Sequence, residues 1–113
     1  MKLTLVSVLA SLAISSFAQA ATLNCHIDIN NDPLLQTQVE SKTKQKVKIG
    51  DVDTVTAYIT EKVDGIYTLE AFIANAEMRV YSEGMLKSSN DRLSTSVWSR
   101  DILLDIECSL ANH

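Results

Sequence analysis

Hydrophobic and polar residues alternate with a period of two over much of the chain beyond residue 20, the pattern of half-buried β-strands. Over residues 22–30, Leu23, Cys25, Ile27 and Ile29 share one face, while Thr22, Asn24, His26, Asp28 and Asn30 share the other. The run Asn30-Asn31-Asp32-Pro33 then ends that strand, because asparagine and aspartate favour local turns and proline cannot donate to a ladder. Near the other end, Ile102, Leu104, Ile106 and Cys108 alternate with Leu103, Asp105 and Glu107. Both cysteines therefore fall on the apolar faces of their strands.

In the middle of the chain, two alternating segments, residues 52–61 and 66–73, flank Asp64-Gly65, a hairpin signal. A two-residue turn would set Ile59 opposite Glu70. A three-residue loop, Val63-Asp64-Gly65 with glycine in the left-handed region, sets Val55, Ala57 and Ile59 opposite Ile73, Ala71 and Leu69, so the hydrophobic pattern selects it. The other face of this hairpin then pairs Thr56 with Phe72 and Tyr58 with Glu70, a mixed surface open to solvent or to a second sheet. Further strands are expected at residues 36–39, 43–49, 78–83 and 95–99. The best helical stretch, residues 71–80 with Ala74, Ala76, Glu77 and Met78, reads better as a break between strands. Short strands at this spacing predict an all-β fold, a small single-domain antiparallel β-sandwich or barrel.

The first 20 residues change the picture of where the protein works. Met1-Lys2, an apolar stretch over residues 3–14 and Ala18-Gln19-Ala20 have the layout of a secretory signal cleaved after Ala20. The apolar stretch is shorter than the roughly 18–20 residues of a bilayer span, and no second one follows, so no membrane span is expected. Cleavage would leave residues 21–113, one domain with a net charge of −5, since the segment removed carries Lys2 and no acid. An acidic chain argues against nucleic acid as partner, because that binding rests on basic side chains. In a periplasmic or secreted protein, Cys25 and Cys108 are expected to form a disulfide that joins the first and last strands.

Candidate chemistry is sparse. Asp28, Asn30 and Asp32 open like a calcium loop, but Pro33 stands where that loop needs glycine and Val39 where it needs glutamate. Asp51 and Asp53 offer at most a looser set of oxygen ligands. Ser41 and Lys44 have the spacing of a serine-lysine nucleophile pair, in a lysine-rich setting and a chain far too short for that class. A triad hydrolase needs a histidine as base, and only His26, on a polar strand face, and the terminal His113 are present. Two histidines and two mutually paired cysteines leave too few ligands for zinc. No metal, cofactor or catalytic residue is assigned.

Two features point to binding. Lys42, Lys44, Lys46 and Lys48 occupy alternate positions, so in an extended segment four ammonium groups share one face. Such a row grips an acidic partner, or else guards an edge strand against intermolecular pairing. Trp98 and Arg100 would share a face of an extended segment, with Val97 and Leu103 pointing the other way. They are interface anchors, or the tryptophan packs in the core. The leading expectation is an exported, non-enzymatic binding protein for another protein or an envelope component. The rivals are an inhibitor of a secreted hydrolase presenting an exposed loop over residues 82–93, and a small hydrolase or carbohydrate-active enzyme using Asp101 and Asp105.

Overall fold

In the computed structural model, which describes residues 21–111, the chain forms eight antiparallel strands in two four-stranded sheets. They are β1 (Thr22–Ile29), β2 (Asp32–Glu40), β3 (Lys46–Val52), β4 (Val55–Val63), β5 (Ile66–Ile73), β6 (Met78–Met85), β7 (Leu93–Trp98) and β8 (Leu103–Leu110). The first sheet has the order β2-β1-β8-β7 and the second is the meander β3-β4-β5-β6. The fold is all-β as expected, and of the two architectures the spacing allowed, sandwich or barrel, it is the two-sheet sandwich. The segment with the layout of a signal, residues 1–20, and His113 lie outside the described residues.

Each sheet turns its apolar face inward. Leu23, Cys25, Ile27 and Ile29 of β1 and Leu104, Ile106 and Cys108 of β8 form one side of the core. Val55, Ala57 and Ile59 of β4 and Tyr67, Leu69, Ala71 and Ile73 of β5 form the other. Cys25 and Cys108 stand directly opposite each other on neighbouring strands, with Cα atoms 4.1 Å apart, and are bonded. The disulfide therefore closes the first strand onto the last, inside the core.

The central hairpin has the register that the hydrophobic pattern selects: Val55, Ala57 and Ile59 face Ile73, Ala71 and Leu69. Its loop is one residue tighter than expected. Val63 still pairs with Ile66, and the odd residue is absorbed by a bulge between Glu61 and Val63 rather than by the loop. Gly65 has φ +78°, where a side chain is strained, and an added Cβ would lie 2.7 Å from the Lys87 side chain. Gly65→Ala is expected to cost about 1–2 kcal/mol of stability in urea unfolding, and Gly65→Asn less, because asparagine tolerates this region.

Several expected boundaries move. Asn30 and Asn31 both have positive φ, 54° and 70°, and make a two-residue turn from Ile29 to Asp32. Pro33 does not end the pairing. It lies within β2, where it is tolerated because β2 is an edge strand and the ladder is bulged opposite it, between Ile27 and Asp28. The break between β5 and β6 is a short 3-10 turn, Ala74–Ala76, closed by Glu77 at φ 48°. At a bulge in β3, Gly50 leaves room for the Leu35 side chain of β2, which a Cβ would strike.

The largest departure is the passage from the first sheet to the second, residues 41–45. The lysine-rich segment is not extended here: Lys44 has φ 61°, and the Gln45 amide bonds back to the Lys42 carbonyl at 3.1 Å. The corner is pinned from within. Ser41 is buried, its amide and hydroxyl both bonding to the Ala21 carbonyl at 2.8 and 3.3 Å. The Lys44 amide bonds to the Glu61 carbonyl at 2.6 Å. Glu61 points inward, as alternation along β4 requires, and is buried. Its carboxylate accepts from the Thr43 hydroxyl at 3.1 Å and the Gly65 amide at 3.4 Å. Burial pushes the neighbouring Tyr67 phenol upward, against the opposing effect of its hydrogen bond with Ser41.

Candidate functional site

The outer faces of the two sheets differ in chemistry. On the β2-β1-β8-β7 sheet the outward side chains include Asn24, His26, Asp28, Gln36, Gln38, Ser96, Asp105, Glu107 and Ser109, an acidic and amide-rich surface. His26 is bracketed by carboxylates, with Nδ1 3.2 Å from Asp28 and Nε2 3.5 Å from Glu107. The two nitrogens point to opposite neighbours, so they do not converge on one ligand. An open groove of about 610 Å³ runs beside the ring.

Trp98 ends β7 on this same outer face and is 87% exposed. It is not a core residue. Leu103 stands directly opposite it on the outer side, not turned away from it; of the two expected neighbours only Val97 points inward. Arg100 does not share its ladder, because the strand stops at Trp98 and the Ser99 amide bonds to the Ile102 carbonyl at 2.8 Å, forming a turn. That turn also separates Asp101 from Asp105. Asp101 lines an end cleft of about 490 Å³ with Asp53, whereas Asp105 lies on the sheet face, accepting from Ser96 at 2.6 Å. The presented loop expected over residues 82–93 is shorter than its sequence suggests, since β6 runs to Met85 and Leu86 is buried. The Asp91 carboxylate ties its tip by accepting from the Lys87 and Ser88 amides, which hold its pKa below the ordinary value.

The outer face of the β3–β6 sheet is aromatic and cationic. Register places Lys48, Tyr58, Glu70 and Tyr81 in one row across the four strands, and Asp51, Thr56, Phe72 and Arg79 in the next. Of the lysine row, only Lys46 and Lys48 reach this face; Lys42 and Lys44 belong to the corner. β3 is an edge strand, where lysines guard against pairing, yet both ammonium groups turn along the face. Lys46 Nζ lies 3.0 Å from Glu70 Oε1 and 5.1 Å from the centroid of the Tyr58 ring. Lys48 pairs with Asp51, which also accepts from the Thr56 hydroxyl at 2.6 Å. These partners, Lys48 first, hold the Asp51 carboxyl below the ordinary range, and Asp51 in turn raises Lys48.

Glu70 is the hub. Only 19% of its side chain is exposed, and its second oxygen lies 3.4 Å from Arg79 Nε, so one carboxylate meets two cations from the two edge strands of the sheet. Arg79 also lies 6.0 Å from the centroid of the Phe72 ring. Lys46, Thr56, Tyr58, Glu70, Phe72 and Arg79 line a cleft of about 240 Å³. Beside it, Tyr81 is 69% exposed and Phe72 is exposed as well; Met85 is exposed at the far end of β6. The sequence signal for this face was the mixed set Thr56, Tyr58, Glu70 and Phe72 on the solvent side of the hairpin. The part played by Arg79 and Tyr81 needed the β5–β6 register.

Among the described residues no group of three or more His, Cys, Asp or Glu side chains is placed to hold a metal ion, and no helix is long and apolar enough to cross a membrane. No protein-family model, curated protein or solved structure matches this chain.

Proposed function

We propose that the protein is an exported, non-enzymatic binding module that holds another protein through the outer face of the β3–β6 sheet. The observation that carries this reading is the exposure of Phe72 and Tyr81 beside Arg79, with Met85 exposed at the far end of β6 on the same sheet face. Tyrosine, phenylalanine, methionine and arginine are enriched at protein interfaces relative to the rest of the surface. The other sheet of the same molecule supplies the comparison: its outer face carries amides, hydroxyls and carboxylates, with large apolar groups only toward its margins, such as Leu34 and Trp98. Export is supported by the signal-like residues 1–20 and by a disulfide compatible with an oxidising compartment, the periplasm or the exterior.

The test is a crosslinked pull-down from the producing cells' envelope and medium with three baits: parent, Phe72→Ser/Tyr81→Ser and Trp98→Ser. All of the altered side chains point outward, and equal melting temperatures will show that the fold is kept. The parent and Trp98→Ser are expected to retain one partner in stoichiometric amount, and the double variant to lose it. Identical capture by all three baits, or loss with Trp98→Ser alone, would reject this face.

A further inference from the structure

We propose that the cleft between Tyr58 and Phe72 is a carboxylate-binding site, and that the partner anchors itself there with an acidic side chain. This rests on the reading of the β3–β6 face as the contact surface and names the chemistry at its centre.

The cleft is built around an excess of positive charge. Lys46 and Arg79 face a single acid, Glu70, so a monoanion is what completes the balance. Glu70 has one oxygen near each of these two cations, at 3.0 and 3.4 Å. It approaches Arg79 at Nε, and the terminal guanidinium nitrogens make no hydrogen bond among the described residues. A guanidinium edge matches the two oxygens of a planar carboxylate and binds it with two parallel bonds. Lys46 has further N–H donors beyond the one directed at Glu70.

The walls suit the rest of an acidic side chain. Tyr58 and Phe72 line the cleft, Tyr58 beside Lys46 and Phe72 beside Arg79, and aromatic rings cover methylene groups well. About 240 Å³ is smaller than the cavities that take drug-sized ligands, and is the scale of a single side chain. Thr56 is already committed, donating its hydroxyl to Asp51, so the charged donors that remain for a ligand are the two cations, with the Tyr58 phenol beside them. The paired charges elsewhere on this sheet, Lys48 with Asp51 and Lys62 with Glu83, add no net charge that would favour a more highly charged anion.

The experiment is a titration of the isotope-labelled protein, followed by nuclear magnetic resonance at matched ionic strength. The probes are N-acetyl-glutamate methylamide, its glutamine counterpart and inorganic phosphate. The glutamate probe is expected to shift the Arg79 Nε–H and the Tyr58 and Phe72 amides saturably, with a dissociation constant on the order of millimolar. The glutamine probe should not. Arg79→Gln and Lys46→Gln, both at side chains more than half exposed, should each weaken binding about tenfold while leaving the melting temperature unchanged. Absence of a saturable shift, equal shifts with the glutamine probe, tighter binding of phosphate, or unchanged affinity in Arg79→Gln would overturn the assignment. Loss of the partner on Phe72→Ser/Tyr81→Ser without carboxylate binding would leave the interface standing and remove the anchor. Carboxylate binding with the partner retained by that variant would do the reverse.

Discussion

Replacing both cysteines, Cys25→Ala/Cys108→Ala, is expected to remove about 4–5 kcal/mol of unfolding free energy, the largest single effect available in this protein. The bond spans a sequence separation of 83, nearly the whole domain, so without it the denatured chain gains most of the freedom that cross-linking denies it. A domain of this size holds a total stability of about 5–15 kcal/mol, and small domains sit toward the bottom of that range. The variant should therefore unfold at far lower urea than the parent, or be unfolded without urea. Its m-value should also rise, because an unlinked denatured state exposes more surface. A variant with parental midpoint and slope would mean that the bridge adds little to a core already sufficient by itself.

The second large effect separates two neighbouring leucines. Leu104 is fully buried between the sheets, while Leu103 lies on the outer side opposite Trp98. Leu104→Ala should cost about 2–5 kcal/mol in urea unfolding, through lost burial and the cavity left behind. Leu103→Ala, in a partly exposed position, should cost well under half as much. The chemistry of the two substitutions is identical, so the difference reports only which way β8 faces. Equal costs, or the reverse order, would mean that β8 is out of register by one residue, which would also turn Cys108 away from Cys25.

Much of this architecture is legible along the chain because burial of one sheet face imposes a period of two. Leu23, Cys25, Ile27 and Ile29 declare β1; Ile106 and Cys108 declare β8; and the match of Val55, Ala57 and Ile59 to Ile73, Ala71 and Leu69 fixes the central register. The same rule misleads over residues 42–45, where alternating lysines extend the strand pattern of β3 backwards into a corner. Alternation there competes with the need to carry the chain from one sheet to the other. The corner wins because Ser41, Thr43 and the Lys44 amide find buried partners in Ala21 and Glu61 that no local pattern announces. Arg100 was misplaced for a similar reason, since the turn at residues 99–102 is closed by a backbone bond.

The candidate site was half visible. Lys46 and Lys48 stood out as charges, and Tyr58, Glu70 and Phe72 as a mixed hairpin face, but in sequence these were separate features. Their union depends on the β3–β4 and β5–β6 ladders, which bring Lys46 and Arg79 from opposite sides to one carboxylate. Trp98, the most conspicuous aromatic residue in the sequence, lies on the outer face of the other sheet, at the end of an edge strand.

That opposition makes the central claim directly measurable. A photoreactive amino acid placed at position 81 in one strain and at position 98 in another, each in the producing cells, asks which sheet face meets another protein. Both positions are exposed edge-strand sites, so each probe is tolerated and equally able to react. The account predicts a discrete light-dependent adduct from position 81, weakened by Arg79→Gln, and none from position 98. An adduct from position 98 alone, or none from position 81, would contradict it.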